Sequence, residues 1–142
     1  MIFVNLPVAD LEKSKVFYEA IGFRNEPKFT DETAAGMVLT DVIHVMLLTH
    51  EKWRSFTTKA IPNTKESAQV MVCLSRESRE AVDATLDDAA KAGGNPDCDP
   101  PQDYGFMYGR SFEDPDGHNW EVMWMDPVAA EKGPEAFMAE TA

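Results

Sequence analysis

The chain has 142 residues, and its 13 Lys and Arg against 25 Asp and Glu give a formal net charge of −12. A chain of this length suits one domain that buries its own core without a metal or disulfide. The acidic balance argues against nucleic acid and anionic membranes as partners, and no apolar run is long enough to span a bilayer. The two cysteines lack disulfide or metal-ligand spacing, and no basic segment opens the chain. These features predict a cytoplasmic protein without a signal peptide.

The first part of the chain alternates between strand and helix patterns. Alternating apolar residues predict a strand over 1–8, and Asp10 offers an N-cap for a helix over 11–21. Gly22 is suited to the C-terminus of that helix. Acidic turn residues separate three further predicted strands, which cover 23–30, 35–40 and 42–49.

The same order of elements then recurs. A strand over 68–75 precedes a helix that Ser75 or Ser78 can cap, and an apolar stripe at helical spacing continues to Ala89. The predicted strands that follow cover 95–99, 104–113 and 118–125. The order βαβββ therefore occurs twice, which predicts two modules of the same construction.

The connecting segment 50–67 is long for a compact domain. It carries Trp53 and Phe56 at helical spacing, together with four Lys and Arg residues. The segment is either a lid over a pocket or an ordinary linker with one helical turn. Both interpretations are consistent with the sequence.

The predicted organisation is one domain over 1–126, made of module one (1–49), the linker (50–67) and module two (68–126). The tail over 127–142 is rich in Ala, Glu and Gly. It forms either a short helix that begins near Pro134 or a frayed end.

Two segments resemble a known family. Residues 8–18 read VADLEKSKVFY and are followed by IGF at 21–23, and residues 112–122 read FEDPDGHNWEV. They resemble the opening and closing motifs of the vicinal oxygen chelate superfamily, the glyoxalase, bleomycin resistance protein and extradiol dioxygenase group. The resemblance implies the α+β glyoxalase/bleomycin resistance/dihydroxybiphenyl dioxygenase fold, in which paired βαβββ modules form a curved mixed sheet around a cleft. It also implies a homodimer, and leaves open whether one chain or two form the cleft.

The resemblance further implies where a metal would bind in metal-dependent members. The four ligand positions fall on Phe3, Leu47, Gln69 and Glu121, and only Glu121 is a usual ligand. The second position is fixed only to within one register step, and Met46 and Leu48 would be no better ligands than Leu47. We therefore expect no metal site and no cofactor. A divalent Zn, Ni or Fe ion belongs only to the alternative hypothesis of a metal enzyme.

The three histidines offer little replacement for these ligands. His44 lies in the fourth predicted strand, His50 follows it, and His118 follows the last turn. His50, His118 and Glu121 could meet only if both strand ends converge. We expect surface histidines near turns.

Strand periodicity predicts a mixed face that suits a small-molecule pocket. Asn5 and Gln69 alternate there with apolar residues, whereas the opposite face is uniformly apolar. The alternative is an interior whose polar groups bond to one another or to water. The predicted pocket residues are Phe3, Asn5, Leu47, Trp53, Phe56, Gln69, Met71, Arg110, Glu121 and Met123.

Glu121 has two candidate roles. Its apolar neighbours Trp120 and Val122 would raise the pKa of its carboxyl group towards the range of a general base. Gln69, Asn5 or Arg110 could then stabilise the resulting enediolate. Alternatively, Glu121 pairs with Arg110 across the last hairpin in a structural role.

The primary hypothesis is a metal-independent small-molecule-binding protein of the glyoxalase/bleomycin-resistance type. The acidic charge suits a cationic ligand such as bleomycin. The alternative is an enzyme, either a lactoylglutathione lyase-like lyase or isomerase, or a dioxygenase, with Glu121 as metal ligand or base. An interaction module is favoured only if side chains fill the cleft.

Overall fold

The computed structural model describes residues 1–142 and contains nine strands and five helices. Each half of the chain contains a strand, then a helix, then further strands. Module one contains β1 (Ile2–Val8), α1 (Leu11–Ala20), β2 (Arg24–Thr30), β3 (Ala34–Val38) and β4 (Ile43–Thr49). The linker begins with α2 (His50–Phe56). Module two contains β5 (Val72–Ser75), α3 (Arg79–Lys91), β6 (Asn95–Pro96), β7 (Gln102–Asp103), β8 (Met107–Glu113) and β9 (Asn119–Met125), and the tail forms α4 (Pro127–Lys132) and α5 (Pro134–Thr141).

The two modules share one strand topology. Module one forms a sheet of order β1-β4-β3-β2, and module two forms a sheet of order β5-β9-β8-β6, with β7 also paired to β8. In each sheet the first strand of the module pairs in parallel with the last one. β1 and β5 therefore each lie at one edge of their sheet, with β2 and β6 at the opposite edges.

Local capping explains where the two long helices begin. The Asp10 carboxylate accepts a hydrogen bond from the Lys13 amide at 3.0 Å, as the sequence predicted. The Ser78 hydroxyl accepts one from the Ala81 amide at 3.0 Å, so Ser78 rather than Ser75 is the second cap. After α1 the chain turns at Gly22, whose φ of +107° suits a residue without a side chain.

The two modules share a single hydrophobic core of 17 buried residues. An aromatic cluster lies at its centre, where α1 and β2 of module one meet β8 and β9 of module two. The ring centroids of neighbouring members lie 5.3 to 6.3 Å apart. The cluster consists of Phe17, Tyr18, Phe23, Phe112 and Trp120. Because both modules supply it, neither can bury its apolar face without the other.

A buried polar network fastens the β8–β9 turn of module two to module one. The Tyr18 hydroxyl donates to Asp114 at 2.6 Å and accepts from the indole nitrogen of Trp120 at 3.0 Å. The Asp116 carboxylate accepts from the Ala9 amide at 2.8 Å. Burial raises the pKa of Tyr18 well above its ordinary value, with the Asp114 charge as the next cause. The hydroxyl therefore stays a donor at all physiological pH values.

Several boundaries differ from the sequence-based predictions. Strand β5 begins at Val72 instead of 68, so Gln69 and Met71 lie in the loop before it. The predicted strand over 95–99 is reduced to the two residues of β6. The tail forms two short helices, and no helix of the chain has the length and apolarity needed to cross a membrane.

Candidate functional site

One face of each sheet packs against the helices, and the other face is open. The parallel register of β1 and β4 pairs Phe3 with His44 and Asn5 with Met46. These residues lie on the open face because alternate residues of a strand point to opposite sides. Phe3 is 55% exposed, although it is a large apolar side chain.

Leu47 does not lie on this open face, contrary to the prediction. It pairs with Leu6, is completely buried, and belongs to the shared core. A shift of one residue along a strand moves a side chain to the other face. His44 and Met46 therefore occupy the open-face positions of β4.

A groove on the open face of module one lies beside Phe3. The rings of Phe3 and His44 stack with centroids 4.7 Å apart. Arg24, Glu26 and Phe29 complete the groove, which has a volume of about 460 Å³. The pairing of His44 with Phe3 depends on the strand register, so the sequence pattern does not predict it.

On the open face of module two, a cavity surrounds Glu121. The cavity has a volume of about 110 Å³ and is lined by Cys73, Ser111 and Met123, among others. Cys73 and Ser111 are the strand partners of Glu121 on its two sides. Partial burial raises the pKa of the Cys73 thiol, and the neighbouring Glu121 charge raises it further. This thiol is therefore a poor nucleophile at neutral pH.

The contacts of Arg110 support neither of its predicted roles, which were to stabilise an enediolate and to pair with Glu121. Arg110 contributes to the wall of the Glu121 cavity, but its guanidinium group bonds to Asp97 at 2.7 and 2.9 Å and to Asp83 at 2.9 Å. Arg110 pairs with Val122 in the strand register, whereas Ser111 pairs with Glu121. The side chain of Arg110 thus extends towards α3, and hydrogen bonds from it lower the pKa of Asp97.

A third cavity lies between the free edges of β1 and β5, and we call it the seam cavity. Its volume is about 210 Å³. Asn5, Trp53 and Gln69 from the predicted pocket come together here. The other lining residues are Val4, Leu6, Pro7, Pro62, Thr64, Ser67, Ala68, Val70, Val72, Gly117, His118, Asn119 and Trp120.

The linker supplies one wall of the seam cavity. The Thr64 hydroxyl donates a hydrogen bond to the carbonyl oxygen of Asp116 in the β8–β9 turn. Gly117 has a φ of +90°, and a side chain there would meet the Thr64 carbonyl oxygen at 2.7 Å and the Lys65 Cα at 2.9 Å. The turn therefore needs glycine at this position for two reasons, its backbone angle and the close approach of the linker.

Two polar side chains of the seam cavity are already held by the chain. The Nε2 atom of His118 lies 2.8 Å from the carbonyl oxygen of Pro7. Since a carbonyl only accepts, Nε2 must donate, and Nδ1 is left as an acceptor in the neutral ring. The Asn119 amide donates to Asp99 at 3.1 Å.

Trp53 differs from both. Its indole Nε1 is buried, and it is the one buried side-chain nitrogen or oxygen of the chain without a hydrogen-bond partner. A buried N–H left in this state costs about 1–3 kcal/mol. Such a group calls for a specific explanation.

Two predicted pocket residues lie outside these cavities. Phe56 is 65% exposed on α2, where the Lys52 ammonium lies 5.5 Å from its ring centroid. Met71 is exposed in the loop before β5. Neither lines the seam cavity or the Glu121 cavity.

The residues at the family's metal positions do not fit a metal ion. Phe3 cannot coordinate, and on the open face of β4 the His44 ring stacks on Phe3 while Met46 offers only a thioether. Gln69 supplies a neutral amide and lines the seam cavity, whereas Glu121 lines a separate cavity. No three or more His, Cys, Asp and Glu side chains of the chain lie together in an arrangement that could hold a metal. His50, His118 and Glu121 therefore do not converge.

The sequence predicted Trp53 and Gln69 as pocket residues. It did not predict the other residues of the linker and of the β8–β9 turn that line the seam cavity. Pro62, Thr64 and Ser67 carry no pattern that predicts a pocket. Their role depends on the linker docking against Gly117, which is distant in sequence. The unusual length of the linker was the single available signal.

Comparisons with known proteins agree with this architecture. A family model described as "Glyoxalase/Bleomycin resistance protein/Dioxygenase superfamily" matches residues 2–122. No curated protein matches the chain significantly. The solved structure of a hypothetical protein from S. aureus is 27% identical, with a TM-score of 0.74 over 87% of this chain and 92% of that one.

More distant structures share the fold. A glyoxalase-related enzyme from Fulvimarina pelagi is 19% identical, with a TM-score of 0.75 over 90% of this chain and 88% of that one. The fosfomycin resistance protein FosX from Mesorhizobium loti is 15% identical, with a TM-score of 0.67 over 92% and 96%. Because the family model spans most of the sequence and the paired βαβββ modules agree with it, the chain belongs to the glyoxalase/bleomycin resistance protein/dioxygenase superfamily.

Proposed function

We propose that this chain is a metal-independent small-molecule-binding protein that holds its ligand in the seam cavity between the two modules. The observation that carries the proposal is the cavity itself. Its apolar walls include Trp53 and Trp120, and the polar side chains of Asn5 and Gln69 lie among them. Ligand pockets combine apolar walls with a few orienting polar groups in this way.

The dimensions favour a small ligand. A volume of about 210 Å³ lies below the range of roughly 300–1,000 Å³ typical of drug-sized ligands. The cavity would accept one ring or a short chain, or one end of a larger molecule. Because side chains do not fill the seam, an interaction module without a ligand is disfavoured.

The donor set supports binding without a metal. Of the four positions that carry ligands in metal-dependent relatives, only Glu121 retains one. A single carboxylate does not complete the coordination sphere of Zn, Ni or Fe. Recognition would then depend on shape and hydrogen bonds.

The test compares two tryptophan substitutions in the linker region. Ala68 lines the seam cavity, whereas Ala60 does not, and both are exposed. Ala68→Trp should block the cavity, and Ala60→Trp is the matched control. The melting temperature of each protein is measured with bleomycin, fosfomycin and the glutathione–methylglyoxal hemithioacetal, since a bound ligand raises it.

Native mass spectrometry of the purified protein complements this panel, because it detects a ligand carried through purification. We expect an adduct or a rise in melting temperature that the wild type and Ala60→Trp share and Ala68→Trp loses. Retention of binding by Ala68→Trp would place the ligand elsewhere. No adduct and no thermal shift for any compound would count against the proposal.

An enzyme is the second candidate, and the position of Glu121 favours it. This carboxylate lies on the open face and lines its own cavity with Cys73 and Ser111. It could remove a proton from a carbon next to a carbonyl group. Because Arg110 is bound by two aspartates and the Ser111 hydroxyl donates to the Asp99 carbonyl oxygen at 3.3 Å, no charged group of this cavity is left to stabilise an enediolate.

A further inference from the structure

We propose that the seam cavity binds a small uncharged ligand with the N–H and carbonyl of a peptide residue, and that these groups pair with the backbone of Asn5 at the edge of β1. In this pairing the Asn5 N–H donates to the ligand carbonyl, and the ligand N–H donates to the Asn5 carbonyl oxygen. This inference rests on the proposed function and specifies its ligand class. Its basis is the direction of the β1 backbone groups, the position of the cavity and the absence of charged residues from its lining.

The hydrogen-bond pattern of β1 determines which of its backbone groups point away from β4. The Ile2 N–H donates to the Val42 carbonyl oxygen at 2.7 Å, so the backbone groups of Ile2 point towards β4. In a parallel pair, residues that bond to the neighbouring strand alternate with residues whose groups point the other way. The backbone groups of Phe3, Asn5 and Pro7 therefore point outwards, to the edge of the sheet.

Two contacts with module two confirm this direction. The outward carbonyl oxygen of Pro7 lies 2.8 Å from Nε2 of His118, and the Ala9 N–H donates to the Asp116 carboxylate at 2.8 Å. Module two thus occupies the outward groups at the C-terminal end of β1. The outward groups of Asn5 have no partner in the chain, because β1 pairs only with β4 and no other hydrogen bond involves them.

The seam cavity lies along this edge of β1. Its lining includes four consecutive residues of the strand, from Val4 to Pro7. Consecutive residues point to opposite faces of a sheet, so a cavity that contacts all four lies at the strand edge. Within this stretch Asn5 is exposed, and it alone has both an outward N–H and an outward carbonyl group without partners, since proline has no N–H.

The opposite wall of the cavity does not pair with this edge. Residues 67–70 and Val72 form that wall, but β5 bonds to β9 and not to β1. The cavity therefore takes the place that a neighbouring strand would occupy beside Asn5. Extended peptides commonly bind to proteins by adding to an exposed sheet edge in this way. The volume of about 210 Å³ limits the guest to a short molecule.

The lining favours an uncharged ligand. It contains no Asp, Glu, Lys or Arg, and its one titratable side chain, that of His118, is held by Pro7. A charged group would lose hydration in the cavity without gaining a charged partner. The Asn5 N–H and carbonyl are instead complementary to the carbonyl and N–H of one residue, as in a hydrogen-bonded pair of antiparallel strands.

The experiment compares two uncharged probes of nearly the same shape. N-acetylalanine N-methylamide carries the N–H and carbonyl of one residue, whereas O-acetyllactic acid N-methylamide has an ester oxygen in place of that N–H. Each probe is titrated into the full chain, and ¹H–¹⁵N spectra report on the backbone amide of Asn5. The Val4 amide is the internal control, because it points towards β4. Ala68→Trp and Ala60→Trp again separate binding in the cavity from binding elsewhere.

The amide probe should move the Asn5 amide proton downfield by more than that of Val4, and should bind about tenfold more tightly than the ester probe. Asn5→Ala keeps the backbone N–H and should weaken binding of the amide probe less than about threefold, whereas Asn5→Pro removes the N–H and should weaken it at least about tenfold. Proline suits an outward position of an edge strand, as Pro7 already does. Ala68→Trp should abolish binding, and Ala60→Trp should retain it.

The contrary results have distinct meanings. Equal affinity for the two probes with an unmoved Asn5 signal would mean that the cavity binds ligands but that the Asn5 inference is wrong. Binding that survives Ala68→Trp, or no binding of either probe, would also refute the inference, while the proposed function is judged separately by its own ligand panel and by native mass spectrometry. If Asn5→Pro does not fold, the difference between amide and ester still decides, because it alters the ligand and leaves the protein intact.

Discussion

Removing the Tyr18 hydroxyl tests how the two modules are held together. Tyr18→Phe keeps the ring in the core but deprives Asp114 of one donor and the Trp120 indole of its acceptor. Both partners are almost fully buried. A hydrogen bond to a charged group contributes about 1.5–3 kcal/mol, and an orphaned N–H adds about 1 kcal/mol or more. The free energy of unfolding should therefore fall by about 3 kcal/mol.

This loss is a large part of the 5–15 kcal/mol that stabilises a typical domain. For a chain of this size it corresponds to a decrease in melting temperature of about 6–12 °C. Urea denaturation followed by circular dichroism measures the change directly. Tyr104→Phe is the matched control, since Tyr104 is 55% exposed and its stacking on Phe106 survives the change. A Tyr18→Phe protein within about 0.5 kcal/mol of that control would refute the proposed network.

Further predictions concern the linker, acid stability, chemistry and assembly. In urea denaturation, Gly117→Ala should destabilise the fold by at least about 1 kcal/mol more than the control Gly133→Ala. Both glycines have a φ of +90°, but only Gly117 faces the linker backbone. Equal losses of stability would mean that the linker does not dock against Gly117. Hydrogen bonds from Arg79 hold the pKa of Asp103 at about 2. The ionised carboxylate therefore stabilises the fold fully above about pH 4, and this stabilisation is lost as the pH falls through about 2. The stability gap between the wild type and Asp103→Asn should shrink over that interval, and a constant gap would contradict the ion pair. Elemental analysis should find no stoichiometric transition metal, and hemithioacetal isomerisation should be absent with added Ni²⁺ or Zn²⁺; a metal-stimulated rate abolished by Glu121→Gln would favour the enzyme. Light scattering should detect a homodimer, and a monomer at every concentration would exclude it.

Much of the fold was predictable because its signals are local. The Asp10 cap, the alternating strands and the Asp-Pro-Asp-Gly turn each depend on neighbouring residues and on backbone preferences. The repeated βαβββ order follows from them. The start of β5 was predicted four residues too early, because the apolar run that precedes Val72 belongs to the loop at the seam cavity.

The site was less predictable because register and docking decide it. Leu47 and Met46 are adjacent and both apolar, so composition could not tell which one faces the core. Arg110 had several acidic candidates as partners. The packing of α3 against β8 brings Asp83 to it, and the pairing of β6 with β8 brings Asp97. Phe56 follows Trp53 at helical spacing, yet only Trp53 reaches the seam cavity.

The sequence by itself determined the pair of modules and their family. Each of these depends on residue identity or on short-range periodicity. The tertiary structure alone decided where a ligand could bind, because the seam cavity exists only where β1, the linker and the β8–β9 turn come together. It also decided that Trp53 keeps a buried N–H without a partner, since hydrogen-bond satisfaction depends on contacts between residues that are distant in sequence. The net charge of −12 describes the whole chain, whereas the tertiary structure places none of its 25 Asp and Glu residues in the lining of the seam cavity.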